Sequence, residues 1–151
     1  MSKLSLVLLN STFILGILYS VNAQFQDSHT NDSIDRILES AELKTIDQIN
    51  REIDRLVDRL DEKTRKEHKE WKLRIEKEER ERKKRIFKVL PKLSTRTQQK
   101  LIRIVMTQQN NQLTVGEKER ILRHISTSMD EVTKKEMARY LNDKDLFSLI
   151  Y

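Results

Sequence analysis

Residues 45–60 read TIDQINREIDRLVDRL, and this stretch decides the fold class. Its apolar side chains recur at intervals of three and four residues, the spacing that places them on one face of an α-helix. Thr45 followed by Gln48 is the pattern of a capping box, in which each side chain accepts a hydrogen bond from the other residue's backbone N–H. The stretch therefore predicts an amphipathic helix that buries Ile46, Ile49, Ile53, Leu56, Val57 and Leu60.

A highly charged segment follows this helix. Only five of the 25 residues from Asp61 to Arg85 are uncharged. The charges are ordered, because a glutamate precedes a lysine or arginine by four residues at six places, and each such pair stabilises a helix by about 0.2–0.5 kcal/mol. The pairs are Glu62–Lys66, Glu70–Arg74, Glu76–Arg80, Glu78–Arg82, Glu79–Lys83 and Glu81–Arg85. We therefore predict a helix over 61–89, ended by Pro91, which at about 43 Å is long enough to leave its middle, 76–85, exposed.

Shorter helical patterns flank these two helices. Asp32 or Ser33 would cap a first helix, Ser94 or Thr95 a fourth, and capping boxes would begin two more. The boxes are Thr114 with Glu117 and Ser128 with Glu131. Within the charged helix, Trp71 and Ile75 would dock its N-terminal end onto the core. The apolar residues of the flanking helices are Ile34, Ile37, Leu38 and Ala41; Leu101, Ile104 and Val105; Val115, Ile121, Leu122, Ile125 and Met129; and Val132, Met137, Tyr140 and Leu141.

The composition agrees with a helical protein. Only two glycines and one proline occur in 151 residues, and cysteine is absent. The absence of cysteine excludes disulfides, thiolate chemistry and cysteine-bound zinc. The predicted fold class is all-α, a compact bundle of five to six helices with one long, highly charged central helix and no disulfides.

The first 23 residues form a predicted signal peptide. Lys3 is the only charge before Asp27, the residues after Lys3 are mostly apolar, and Val21-Asn22-Ala23 has the modest side chains that signal peptidase requires. A retained membrane anchor is the alternative. The apolar stretch is, however, shorter than the roughly 20 residues of a spanning helix, and its middle is polar. We predict cleavage after Ala23 and a secreted, extracellular protein.

The rest of the chain is predicted to comprise a polar leader at 24–32, a helical domain at 33–141 and an apolar C-terminal tail at 142–151. Asn31-Asp32-Ser33 is an acceptor sequon for N-glycosylation, although Asp32 or Ser33 also suits a helix cap. Both roles are compatible. The tail, which ends in Leu146-Phe147-Ser148-Leu149-Ile150-Tyr151, would either dock onto the domain or bind a partner.

Residues 34–141 resemble the nematode secreted family called SXP/RAL. The resemblance lies in Leu43-Lys-Thr-Ile before an amphipathic helix, then a long Lys/Glu-rich helix, then Asn110-Asn-Gln-Leu-Thr before a helix pair. It implies a small, exported helical protein that is exposed to a host and often recognised as an antigen, with no settled activity. The sequence departs from the family's pattern at two places. Asp61-Glu62 stands where members often have a glycine turn, so that the second helix could run into the third. No tryptophan lies near Arg55, where relatives often carry one. The other matched positions are Ile49, Leu56, Val57, His68, Trp71, Ile104, Ile121, Ile125, Met129 and Val132.

No metal or catalytic site is predicted. The histidines are His29, His68 and His124, and none has a second histidine four residues away, as a metal pair on one helix requires. A calcium loop that begins at Asn110 would place Val115 at the position of the required glycine and Ile121 at that of the bidentate glutamate. Helix capping by Thr114 explains this segment better. We predict no cofactor and no enzymatic activity.

A basic cluster lies near the end of the long helix. Its functional interpretation is binding of a heparin-like or phosphate polyanion, or nuclear import in a host cell. A solvated helix face is the alternative, because interspersed glutamates weaken the local field. The residues concerned are Arg80, Arg82, Lys83, Lys84, Arg85, Lys88 and Lys92.

The formal net charge of +6 suits an acidic partner but does not identify one. The function predicted from the sequence is a secreted, non-enzymatic binding protein of the SXP/RAL type. Its partner would be a host or extracellular protein or a small apolar ligand. The alternative is a polyanion-binding or host-nuclear effector that uses the basic cluster at 80–92.

Overall fold

The computed structural model describes residues 28–142, and it confirms an all-α fold with a long central helix. In chain order the α-helices are α1 (Ser28–Glu39), α2 (Ile46–Val57), α3 (Glu62–Val89), α4 (Thr95–Gln109), α5 (Val115–Thr127) and α6 (Glu131–Tyr140). Short 3-10 helices at Ala41–Leu43 and Leu90–Lys92 connect α1 to α2 and α3 to α4. The predicted signal peptide with its cleavage site at Ala23, residues 24–27 of the leader and residues 143–151 of the tail lie outside the described residues.

Helices α1 and α2 form a first apolar cluster with the N-terminal half of α3. The predicted capping box begins α2: the backbone N–H of Gln48 donates to Thr45 Oγ1 over 3.2 Å, and the N–H of Thr45 donates to Gln48 Oε1 over 2.8 Å. Trp71 is buried and Ile75 packs against the cluster, as predicted. We call this set the N-terminal cluster; its buried members are Ile34, Ile37, Ala41, Ile49, Ile53, Val57, Trp71 and Val115.

Helices α4, α5 and α6 form a second apolar cluster with the C-terminal end of α3. Thr114 and Glu117 make the predicted capping box at the start of α5, with hydrogen bonds of 2.8 and 3.2 Å. Ser94 lies at the predicted start of α4, but its backbone N–H donates to Glu136 of α6 over 2.6 Å. We call this set the C-terminal cluster; its buried members are Ile86, Leu93, Leu101, Ile104, Leu122, Ile125, Met129, Met137 and Leu141.

Helix α3 spans both clusters and is separate from α2. Helix α2 ends at Val57, and Asp61 caps α3 by accepting the backbone N–H of Thr64 over 3.0 Å. The expectation that the second helix could run into the third is therefore wrong, because α2 ends at Val57 and Asp61 caps a new helix. The helix has 28 residues and is about 42 Å long. Its middle is largely exposed, as predicted.

Two predicted helix starts are wrong. Helix α1 begins at Ser28, ahead of both Asp32 and Ser33, because no glycine or proline interrupts the polar residues before Ile34. Helix α6 is capped by Asp130, which accepts the N–H of Thr133 over 2.8 Å. Ser128 instead ends α5, where its N–H donates to the carbonyl of His124.

Because α6 starts later than predicted, the set of side chains that it buries also differs from the prediction. Val132, predicted to lie inward, is 75 % exposed, and Tyr140 is 37 % exposed. The buried residues instead follow a four-residue spacing that includes a threonine. They are Met129, Thr133, Met137 and Leu141.

The loops before α2 and α5 join the two halves of the molecule. Thr45 and Thr114 form an isolated antiparallel bridge, and the N–H of Val115 donates to the carbonyl of Lys44 over 2.9 Å. Val115, although it begins α5, is buried in the N-terminal cluster. The chain therefore folds as two clusters that are held together by α3 and by this pair of loops. No helix within residues 28–142 is both long and apolar enough to cross a bilayer.

Candidate functional site

Helix α3 is exposed on one side along its length and is buried on the other side only where it meets the two clusters. Each residue advances a helix by about 100°, so residues four, seven and eleven positions apart share a face. Trp71 and Ile86 are buried on one side. The opposite side carries side chains that are all exposed, and we call it the outer face. Its basic and apolar members are Lys66, Lys69, Leu73, Lys77, Arg80, Lys84, Phe87 and Lys88, and the exposed Glu62, Glu70 and Glu76 follow the same spacing and lie on it or at its edge.

Four cations lie on the C-terminal half of the outer face. Lys77, Arg80, Lys84 and Lys88 follow one another at intervals of three or four residues. They span twelve residues, or about 17 Å along the helix axis. The outer face is therefore a preformed line of positive charge whose backbone is held at both ends by the two clusters.

Glutamates beside the outer face partly neutralise it. Arg80 lies 3.9 Å from Glu76, and Lys84 Nζ donates to Glu81 Oε1 over 2.8 Å. The hydrogen bond and the charge of Lys84 lower the pKa of Glu81, so this carboxylate stays ionised. The excess of cations on this half of the face remains, because Lys77 and Lys88 extend it beyond both ion pairs.

The structure divides the basic cluster predicted from the sequence. Arg80, Lys84 and Lys88 share the outer face, whereas consecutive residues wind around the helix. Arg82 is only 18 % exposed and pairs with Glu79 over 2.8 Å. The remaining members lie elsewhere: Lys83 is half-buried, Arg85 is exposed on a neighbouring side of α3, and Lys92 is exposed on the following 3-10 helix.

Sequence reasoning missed five basic or apolar members of the outer face, of which Lys66 and Lys69 lie towards its N-terminal end. Lys77 lies outside the predicted cluster, and Leu73 and Phe87 were not recognised as exposed apolar residues of the same face. The spacing of three or four residues between positions 73, 77, 80, 84 and 87–88 indicates one helix face. The prediction followed the adjacent basic residues at 82–85 instead of this spacing. The predicted pairs are also shifted in part: Glu76–Arg80 forms, but Arg82 and Lys84 contact the glutamates three residues before them.

His68 belongs to a polar contact between α2 and α3. Its Nε2 lies 3.2 Å from Asp54 Oδ1, and its ring stacks on Trp71 with centroids 5.9 Å apart. Lys72 Nζ donates to both oxygens of Asp54 over 3.0 Å. Burial alone would raise the pKa of Asp54, but the hydrogen bonds and charges of Lys72 and His68 outweigh it and lower that pKa. This polar contact attaches α3 to α2.

The other two histidines take no part in this contact. His124 is exposed on α5, and the side chain of His29 lies outside the described side chains. Within residues 28–142, no group of three or more histidines or carboxylates could hold a metal ion. The predicted glycosylation residue, Asn31, lies within α1, and its side chain too is outside the described ones.

A buried lysine lies against the loop that was compared with a calcium site. Lys118 is 6 % exposed, and its Nζ donates to the carbonyl of Gln108 over 2.8 Å. Burial lowers the pKa of Lys118, and the charge of Asp47 acts in the opposite direction. Glu117 is occupied by the capping box. The ammonium group of Lys118 and the carboxylate of Glu117 are thus both hydrogen-bonded to backbone groups at helix ends, which they stabilise.

The chain has no significant match among protein-family models, curated proteins or solved structures.

Proposed function

We propose that this chain is a secreted, non-enzymatic binding protein of the SXP/RAL type and that the outer face of α3 contacts an anionic partner. The observation that carries the proposal is the line formed by Lys77, Arg80, Lys84 and Lys88. A row of exposed cations attracts negatively charged groups and accelerates their encounter with the protein. Because this half of the face also has the nearby Glu76 and Glu81, the attraction is modest and falls with added salt.

The spacing of the cations suits an extended partner. Adjacent cations on one face are about 5–6 Å apart, so a straight array of negative groups can meet several of them together. The backbone of α3 is already ordered by its contacts with both clusters. Binding therefore requires ordering of side chains only, which lowers its entropic cost.

Retention on a heparin column tests this proposal. The face variant replaces Lys77, Arg80, Lys84 and Lys88 by glutamine, and we expect it to elute at clearly lower salt than the unmodified chain. The matched control has the same charge change at exposed residues of other segments: Arg51→Gln, Arg59→Gln, Arg103→Gln and Lys135→Gln. Equal loss of retention in the two variants would show that only net charge matters and would overturn the proposed site.

Export is the second part of the proposal. It rests on the charged start, apolar core and small-residue end of residues 1–23. Expression in a eukaryotic secretion host followed by N-terminal sequencing of the medium should give Gln24 as the first residue. A chain that stays in the cell with Met1 as its first residue would refute this part.

The small apolar ligand and the protein partner predicted from the sequence stay predictions. Native mass spectrometry of the protein collected from such a medium tests the former. A bound mass that organic extraction removes is the expected result if a ligand is carried.

A further inference from the structure

We infer that the anionic partner of the outer face is the surface of a membrane that contains acidic lipids, with α3 lying along it. This inference rests on the proposed function and adds two apolar side chains to it. Leu73 is 57 % exposed and Phe87 is 59 % exposed, although both are large hydrophobic residues. Neither side chain belongs to the N-terminal or the C-terminal cluster.

The positions of these two residues relate them to the cations. Fourteen residues separate Leu73 from Phe87, which is close to four helical turns and about 21 Å along the axis. The two side chains therefore point in nearly the same direction. Lys77, Arg80 and Lys84 lie between them on the same face, and Lys88 follows Phe87. The outer face is thus a cationic line with an apolar side chain near each end.

This combination favours a lipid surface over a free polyanion. A sulfated polysaccharide offers negative groups but no apolar region for Leu73 or Phe87. A bilayer that contains acidic lipids offers both, because the headgroups are anionic and the acyl boundary lies about 5–10 Å below them. Lysine and arginine can also lay their methylene stems along apolar surface while the charge stays at the headgroups.

The shape of the helix agrees with a flat partner. Helix α3 is long, and its contacts at Trp71, in its N-terminal half, and at Ile86, near its C-terminal end, lie on the side opposite the outer face. A helix anchored in this way presents a line of side chains to a plane. Glu70, Glu76 and Glu81 lie beside this line, so we expect weak and reversible binding that depends strongly on salt.

Sedimentation with vesicles tests the inference. The chain without its predicted signal peptide is mixed with vesicles of phosphatidylcholine alone or of phosphatidylcholine with phosphatidylserine. We expect several-fold more bound protein on the phosphatidylserine vesicles, and most of this excess should be lost at high salt. The apolar variant, Leu73→Gln with Phe87→Gln, should bind several-fold less while its elution from heparin is unchanged.

The matched control changes two exposed apolar residues on other helices. Met106 is 67 % exposed and Val132 is 75 % exposed, so Met106→Gln with Val132→Gln alters surface hydrophobicity to a similar extent. We expect this control to bind vesicles as the unmodified chain does. Circular dichroism of every variant checks that the helices are retained.

The outcomes separate this inference from the proposed function. Heparin retention that depends on the four cations, with no preference for phosphatidylserine vesicles, would overturn the membrane partner and leave the anion-binding face. If the face variant binds heparin and the phosphatidylserine vesicles as well as the unmodified chain does, both the anion-binding face and the membrane partner are overturned. Vesicle binding that the apolar variant leaves unchanged would overturn the role of Leu73 and Phe87.

Discussion

Thr45 and Thr114 lie opposite each other in an antiparallel bridge, and each of them also caps the helix that follows it. One pair of threonines therefore performs two tasks. Locally, each hydroxyl satisfies a backbone N–H in the first turn of a helix. Globally, the bridge brings together loops that are about seventy residues apart and aligns α2 with α5. The bridge therefore relates the N-terminal cluster, in which Val115 is buried, to the C-terminal cluster.

Removing the capping hydroxyls should destabilise the protein. We expect Thr45→Ala and Thr114→Ala each to lower the free energy of unfolding by about 1 kcal/mol. The double variant should differ from the sum of the single ones, because the two residues are in contact. Urea unfolding of the four proteins measures this. Thr45→Ser and Thr114→Ser retain the hydroxyl and are the controls; serine variants as unstable as the alanine variants would argue against capping.

Gly116 is required by a close approach between two backbones. A Cβ atom at this position would lie 2.9 Å from the carbonyl oxygen of Glu42, which belongs to the 3-10 helix before α2. Overpacking of this kind costs about 1–3 kcal/mol. That cost exceeds the roughly 0.5–1 kcal/mol that alanine gains over glycine inside a helix. We therefore expect Gly116→Ala to lower the melting temperature; an increase would mean that the contact is loose.

Asp54 should make the docking of α3 sensitive to acid. Its pKa is lowered in the folded protein, so its stabilising contribution is present above the ordinary value of 3.8 and disappears as the pH falls through the folded-state pKa. Because the side chain is 43 % exposed, solvent screening limits the loss in Asp54→Asn to about 0.5 kcal/mol at neutral pH. The difference between the two proteins should vanish in strong acid. Asp58→Asn, at an exposed residue nearby, is the control for urea unfolding at several pH values.

Lys118 should have the opposite dependence on pH. Burial lowers its pKa from the ordinary value of 10.5, so the unfolded chain binds more protons than the folded one between the lowered pKa and 10.5. The stability contributed by this residue therefore rises with pH in that interval. We expect the free energy of unfolding, relative to Lys118→Met, to increase as the pH rises from the lowered pKa towards about 10. A difference that stays constant over this interval would contradict the burial of the charge.

Local interactions explain why much of the fold could be predicted from the sequence. The helix of residues 46–57, the helix of 62–89 and the capping boxes at Thr45 and Thr114 depend on residues within one or two turns of each other, and all were correctly predicted. The prediction failed where two local signals competed. Ser128 and Asp130 are both good caps, and the choice of Asp130 goes with the burial of Met129 and Thr133, which arises only in the packed chain.

The candidate site was predicted only in part, because local patterns do not show which side of a helix is covered by the rest of the protein. The sequence by itself determined that this chain is helical, that its long helix is charged and that basic residues concentrate near 80–92, since composition and spacing are properties of neighbouring residues. The tertiary structure alone decided which side of α3 is covered. That choice follows from the burial of Trp71 and Ile86 in two separate clusters, and it leaves Leu73, Lys77 and Phe87 on the opposite, exposed side. Contacts such as Thr45 with Thr114 and Ser94 with Glu136 join residues far apart in the chain, so they exist only once the whole chain has packed.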